Sequence, residues 1–288
     1  DLEAKKVYDD LSFYMKDKVE YLGFQDILFY HLDAKDRSEE AKRLKVLLKL
    51  ANGEDIILVT SIEAVMKKYI PKEILLKNIY TYKIGDVVNL EKLSETLVNL
   101  GYERVSKIEG FGQFSIRGGI VDIFSLEYNN PIRMELFDTE VDSIRTFSAD
   151  NQRSIKKMQA LTVLPASELV LSKEKRSALA IRLEEGLAAS LKKVKSDEVK
   201  NALYENISAD IEMLKQGNLP EYTNRFGSLL YENPAFLGDY FKKDGLVIFE
   251  ELARIQETSE AWDKEEKDWL LELIEAGKMV HTVKPSFN

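Results

Sequence analysis

At 288 residues and a formal net charge of −9, the chain is long enough for about two domains. So acidic a chain is a poor candidate for non-specific DNA binding, which rests on phosphate neutralisation, and any nucleic-acid contact needs a local basic patch or another part of a larger protein. Hydrophobic residues at 44% and charged residues at 32% exclude a disordered tail, and the lack of cysteine excludes disulfides, thiol nucleophiles and cysteine-ligated metals, as suits a reducing, cytoplasmic location. No apolar run approaches the roughly 20 residues that cross a bilayer, so no membrane role is expected.

Asp1 runs directly into DLEAKKVYDDLSFYMKDKV, an amphipathic helical pattern that opens without Met and so reads as the start of a piece of a longer chain. DILFY (Asp26 to Tyr30) is a buried-strand run. Ser38 can cap a helix through Ala51, with Gly53 just beyond it. IILV (Ile56 to Val59) is a second strand run, and Thr60 with Glu63 in TSIE makes a capping box for a helix that stops before Pro71. Strand, helix, strand is the order of an α/β layer.

After about Tyr80 the pattern changes. Asn89 to Leu100 is one amphipathic helix, with Leu90, Leu93 and Leu97 on a face and Gly101 as its stop. Gln113 to Phe147 reads as a meander of short strands, in which IRMELF and VDSIRTF are separated by a hairpin loop, Asp138 to Glu140. LTVL (Leu161 to Leu164) returns to a buried-strand run, Ser172 to about Gly217 to helices, and LVIF (Leu246 to Phe249) to a strand before a helical EELARIQETSEAW. The pattern predicts a discontinuous, Rossmann-like α/β domain (residues 1–78 and 158–288) into which a small α+β domain on an antiparallel meander (79–157) is inserted.

The motifs of catalysis are missing. There is no GxxxxGK[ST] phosphate loop, so VIFEEL (Val247 to Leu252) reads as acids at a helix start rather than a metal-holding motor motif. Gly110-Phe111-Gly112 lacks the third glycine and preceding strand of a dinucleotide site. His31 and His281 lie far apart, and acid pairs such as Glu184-Glu185 and Glu265-Glu266 fall on helical stretches as solvated faces. No catalytic residue, metal or cofactor is expected in this chain.

The meander carries the one suggestive feature. In FSIRGGIVDIF, Ser115 and Arg117 alternate with Phe114 and Ile116, so if the latter pair faces the core, Arg117 faces water; Gly118-Gly119 then permits a bulge or tight turn. Arg104 follows the helix, and Arg133 and Arg145 on neighbouring strands extend the patch. In one reading these arginines pair with Glu103, Asp122 or Glu135 and keep the sheet solvated. In the other they offer forked donors to a partner's carboxylates, with Phe124 as an exposed aromatic anchor.

GYERV (Gly101 to Val105), QFSIRGGIVDIF (Gln113 to Phe124), PIRMELFDTEVDSIRTF (Pro131 to Phe147), NQRS (Asn151 to Ser154) and LPASE (Leu164 to Glu168) resemble, in order, the amino-terminal region of bacterial transcription-repair coupling factors (Mfd). Arg43 to Pro71 looks like the same family, and the meander is also similar to the matching domain of UvrB. The resemblance implies a UvrB-like module, without an ATP site of its own, that presents a surface to UvrA. By motif position Arg104 matches the arginine of the UvrB pattern YER, Arg117 the second arginine of FRVRG, and Phe124 the aromatic that ends the IF strand. Ser115 stands where UvrB has the first arginine. The same resemblance implies that ATP with Mg, DNA and RNA polymerase belong to other regions of the full-length protein, a DNA translocase, and that a C-terminal domain of that protein masks this face. A fragment of a UvrB-type ATP-dependent helicase, or an autoinhibitory clamp on its own chain, is the alternative.

Overall fold

The computed structural model describes residues 2–24, 37–220, 223–231 and 233–284; the expected strand Asp26 to Tyr30 and His31 lie outside them. In chain order the elements are α1 (Leu2–Met15), β1 (Val19–Leu22), α2 (Arg37–Ala51), β2 (Ile57–Thr60), α3 (Ile62–Met66), α4 (Lys72–Lys77), β3 (Tyr80–Lys83) and α5 (Leu90–Asn99). The meander follows as β4 (Glu103–Arg104), β5 (Gln113–Arg117), β6 (Ile120–Ile123), β7 (Ile132–Phe137), β8 (Glu140–Phe147), β9 (Ser154–Met158) and β10 (Ala160–Val163). Helices α6 (Lys173–Lys193), α7 (Asp197–Lys215), α8 (Gly227–Leu230) and α9 (Leu252–Glu275) close the chain. Contacts divide it into two compact units, one of Asp1–Asp33, Asp55–Pro71 and Ser172–Asn288, the other of Ala34–Glu54 and Lys72–Leu171. The fold is mixed α/β and discontinuous.

In the first unit β1 and β2 pair in parallel, Val19 opposite Ile57 through Leu22 opposite Thr60, and α1 lies against both. The opening helix was expected to run through Val19. It ends at Met15 because Lys16 takes a positive φ of 46°, and the alternating VEYL then enters the sheet. The capping box at Thr60 does not form. Thr60 ends β2 and its hydroxyl donates to the Leu22 carbonyl at 2.8 Å, while Ser61 holds the cap position without a side-chain bond. Helices α6 and α7 bury matched apolar stripes, Leu179, Leu183 and Leu187 against Leu203, Ile207, Ile211 and Leu214, at the spacing a helix face requires. Their caps, Ser172 and Ser196, each accept a backbone N–H at 3.4 Å.

The run Leu246 to Phe249 is the clearest departure from expectation. It forms no strand, and all four side chains are exposed. A strand needs a neighbour for its N–H and C=O groups, and among the described residues none pairs here. Apolar composition alone does not supply one.

The second unit is built on a six-stranded sheet in the order β4-β5-β6-β7-β8-β9, antiparallel except for the parallel edge pair β4-β5. One face is core: Phe114, Val121, Ile123, Ile132, Met134 and Ile144 are buried. Helix α5 starts at Asn89, whose side chain accepts the Lys92 N–H at 2.9 Å. It ends in a Schellman motif: Gly101 N–H donates to Val98 O at 3.0 Å and Tyr102 N–H to Leu97 O at 2.9 Å, with Gly101 at φ 88°. LTVL, expected to resume the α/β domain, instead supplies β10, which pairs antiparallel with β3 and stays within this unit.

The LPASE segment acts as a buckle. Glu40 of α2 accepts from Ser167 Oγ at 2.8 Å and from Glu168 N–H at 3.0 Å, while Arg43 Nε donates to Glu168 at 2.7 Å. Tyr102 donates its hydroxyl to Leu164 O at 2.7 Å, and burial raises that phenol's pKa. Acidic and basic residues balance in this unit, so the chain's negative excess belongs to the first.

Candidate protein-docking surface

The outer face of the six-stranded sheet carries polar side chains in rows fixed by the register. One row runs Ser115, Asp122, Arg133, Arg145, Lys157 across five strands; the next runs Arg117, Ile120, Glu135, Ser143. Arg133 directly opposite Arg145 would be repulsive unless each cation had its own acid. Each does. Asp122, only 2% exposed, accepts Arg133 Nε at 2.6 Å and Nη2 at 2.8 Å, and Arg133 also lies over the Phe147 ring at 4.5 Å. Glu135 takes Arg145 in a two-point bond, with Nη1 at 2.6 Å and Nη2 closing the fork.

This bonding raises the pKa of both guanidinium groups, through Asp122 for Arg133 and Glu135 for Arg145. It holds the Glu135 carboxyl below its ordinary 4.5, chiefly through Arg145 and further through Ser143, against a smaller opposing effect of burial. A carboxyl depressed in the folded state lends stability above its unfolded pKa and loses it as pH falls through the depressed value. Between about pH 6 and about pH 3 the melting temperature of Glu135→Gln should therefore fall less than that of the unaltered chain. Parallel losses in thermal melts would show that the Arg145 bond does not contribute.

The structure therefore sorts the arginines. Arg133 and Arg145 were expected to extend the docking patch, but their side chains are 15% and 22% exposed and committed to internal acids. Arg117 differs. One nitrogen donates to Asp122 at 2.8 Å, yet its side chain is 53% exposed, which leaves most of the five donors of a guanidinium turned outward. Arg104, exposed on the edge strand β4, makes no ion pair among the described residues. Its register partner is Phe114, so by alternation it leaves the sheet on the side opposite Arg117. Beyond Arg104 strand β5 is itself the edge, and a partner touching both arginines has to grip that edge from two sides.

Two expected residues are not on the surface. Ser115 is buried and donates to Ser106 O at 3.3 Å. Phe124, taken as an exposed anchor, is 8% exposed and packs on Phe111 with ring centroids 4.4 Å apart. It lies past the end of β6, where alternation no longer sets its direction. The aromatic that does face water is Phe137, 80% exposed at the end of β7. Alternation along IRMELF already placed Phe137 with Arg133 and Glu135, the signal that could have found it. Gly118-Gly119 is a two-residue turn between Arg117 and Ile120, with Gly118 at φ 59°. A Cβ at Gly119 would stand 2.7 Å from Leu136 O.

No His/Asp/Glu group able to hold a metal and no helix long and apolar enough to cross a membrane occurs among the described residues. Residues 81–169, from β3 through the LPASE buckle, match the family described as the UvrB interaction domain. The chain is 38% identical over 287 residues, 99% of its length, to the transcription-repair-coupling factor of Bacillus subtilis, covering 24% of that protein. It is 31% identical to the counterpart of Staphylococcus epidermidis (96% of the chain, 23% of the relative) and 30% identical to that of Staphylococcus aureus strain MRSA252 (96% and 24%). The chain thus spans about a quarter of the length of the curated relatives it matches. Along nearly its whole length the chain is thus similar to part of the transcription-repair-coupling factors, with the UvrB interaction domain matched at residues 81–169.

Proposed function

We propose that the second unit is a docking module that recruits UvrA in transcription-coupled nucleotide excision repair, working in the cytoplasm as part of a longer protein. The observation that carries this reading is the division among the arginines. Arg133 and Arg145 are spent on Asp122 and Glu135, whereas Arg117 and Arg104 turn toward solvent at one sheet edge. The match of this same region to the UvrB interaction domain supports it. The half-fixed guanidinium of Arg117 suits a partner's carboxylate, because the Asp122 contact orients it before the partner arrives and lowers the ordering cost of binding. The acidic excess in the first unit does not oppose this, since the partner is a protein. The chain's own role is recruitment, without catalysis or cofactor; ATP, Mg, DNA and RNA polymerase would be handled by other regions of the whole protein, one of which would mask this face.

Titration of the cognate UvrA against the chain tests the proposal. Arg104→Ala and Arg117→Ala should each weaken capture about tenfold or more, as truncation of one side of a desolvated ion pair does. Thermal unfolding should barely move, because Asp122 keeps both bonds from Arg133 when Arg117 is removed. A double variant that captures UvrA as well as the unaltered chain removes the site.

A further inference from the structure

We infer that Phe137, at the tip of the β7–β8 hairpin, and Val87, bridged to that tip from the segment between β3 and α5, form the apolar anchor of this docking surface, seating an apolar side chain of the same partner whose carboxylates meet Arg117; the inference rests on the reading above. Val87 bridges Glu140 in antiparallel fashion, and Glu140 is the register partner of Phe137, so the three form one line across the sheet and project from one face. Phe137 is 80% exposed and Val87 77%. The platform beneath them is fixed: Val88 N–H donates to Thr139 O at 2.7 Å, Gly85 N–H to Val141 O at 2.8 Å, and Val141 N–H to Asp86 O at 2.9 Å. A large aromatic held on a rigid backbone and turned into water is a preorganised contact, with little ordering left to perform on binding.

The tip is continuous with Arg117. Arg117, Ile120 and Glu135 share a row, and Phe137 lies two residues past Glu135 on the same strand, just beyond a shift in the pairing with β8 that sets Phe137 opposite Glu140. Strand spacing and rise put Arg117 and Phe137 roughly 12 Å apart, within the footprint of one small contact patch. Between them is an open recess of about 400 Å³ lined by Gly119, Ile120, Glu135, Leu136, Phe137 and Asp142. Gly119 is needed there because any side chain would strike the Leu136 carbonyl. Charge sets the chemistry of the occupant. Asp138, Glu140 and Asp142 gather at the tip, while Arg117, in the row of Ile120 and Glu135, keeps most of its donors exposed, and Arg145 is already bonded to Glu135. A fitting partner places an acid over Arg117, an apolar side chain in the recess, and neutral or basic groups over the tip.

The test compares Phe137→Ala, Phe137→Leu and Arg117→Ala in the 288-residue chain, by titration with the cognate UvrA and by thermal melts. Phe137→Ala should weaken capture about tenfold with an unchanged melt, and Phe137→Leu should recover most of it, as expected of an apolar anchor. Should Phe137→Ala melt early, Val87→Ala repeats the test from the segment bridged to the tip. Full capture by Phe137→Ala beside weakened capture by Arg117→Ala overturns the anchor and leaves the arginine reading standing. Full capture by both overturns both. Tighter capture by Phe137→Ala also overturns the anchor.

Discussion

Asp122→Ala is expected to destabilise the second unit by about 3–5 kcal/mol, the cost of removing one partner from a buried ion pair. The carboxylate is nearly sealed from water and is held by Arg117 and, at two points, by Arg133. Deleting it leaves Arg117 able to turn to solvent, but Arg133, wedged over the Phe147 ring, keeps its charge in a site that no longer compensates it. The loss should therefore exceed that of Arg117→Ala by several-fold. Replacing Asp122 and Arg133 together by leucine should restore most of it, since a well-packed apolar pair of similar volume is often as stable as the ion pair it replaces. Chemical denaturation of the three variants provides the measurement. A loss below about 1 kcal/mol for Asp122→Ala would mean that the pair behaves as an exposed surface bridge.

Gly101→Ala is the second large effect, at roughly 2–5 kcal/mol. Two terms contribute. At φ 88° an L side chain is strained by about 1–2 kcal/mol, and the new methyl would stand 2.5 Å from Ser167 Cβ, an overlap of the kind that costs about 1–3 kcal/mol. Ser167 cannot easily yield. Its hydroxyl is bonded to Glu40 and accepts the Leu169 N–H at 3.1 Å, and the Ala166 N–H is tied to Leu100 O at 2.8 Å. Gly85 is the control: its φ is 91°, and a Cβ there meets nothing within 4 Å. Gly85→Ala should show the strain alone. Equal melting losses in the two variants would show that the buckle gives way, and that the contact with Ser167 adds nothing.

How much of this was readable in the sequence depended on whether the signal was local. The ends of α5 are local chemistry, an Asn that caps and a glycine that stops, and both sit where the sequence places them. The meander was legible for the same reason, since period-two alternation and two-residue turns need no knowledge of distant partners. LVIF was not, because a strand is a relation between two segments and the sequence displays only one. The pairing of Asp122 with Arg133 rather than Arg117 alone depended on a register spanning three strands. The expectation of Phe124 as the exposed aromatic failed on the same distinction, since Phe137 is the one that faces water. Inside a strand alternation is a reliable compass, and one residue past its end, at Phe124, it points nowhere.

The exposed run Leu246 to Phe249 has a practical consequence for the isolated chain. Four consecutive β-prone side chains without cover make a sticky segment, and sticky segments find one another as concentration rises. Lys242, Lys243 and Asp244 precede it and Glu250 and Glu251 follow it, so charge brackets the run on both flanks as gatekeepers do. The colloidal behaviour of this protein in a storage tube is thus governed by a handful of flanking charges, and high salt or mild acid, which mute them, are the conditions in which it should cloud first.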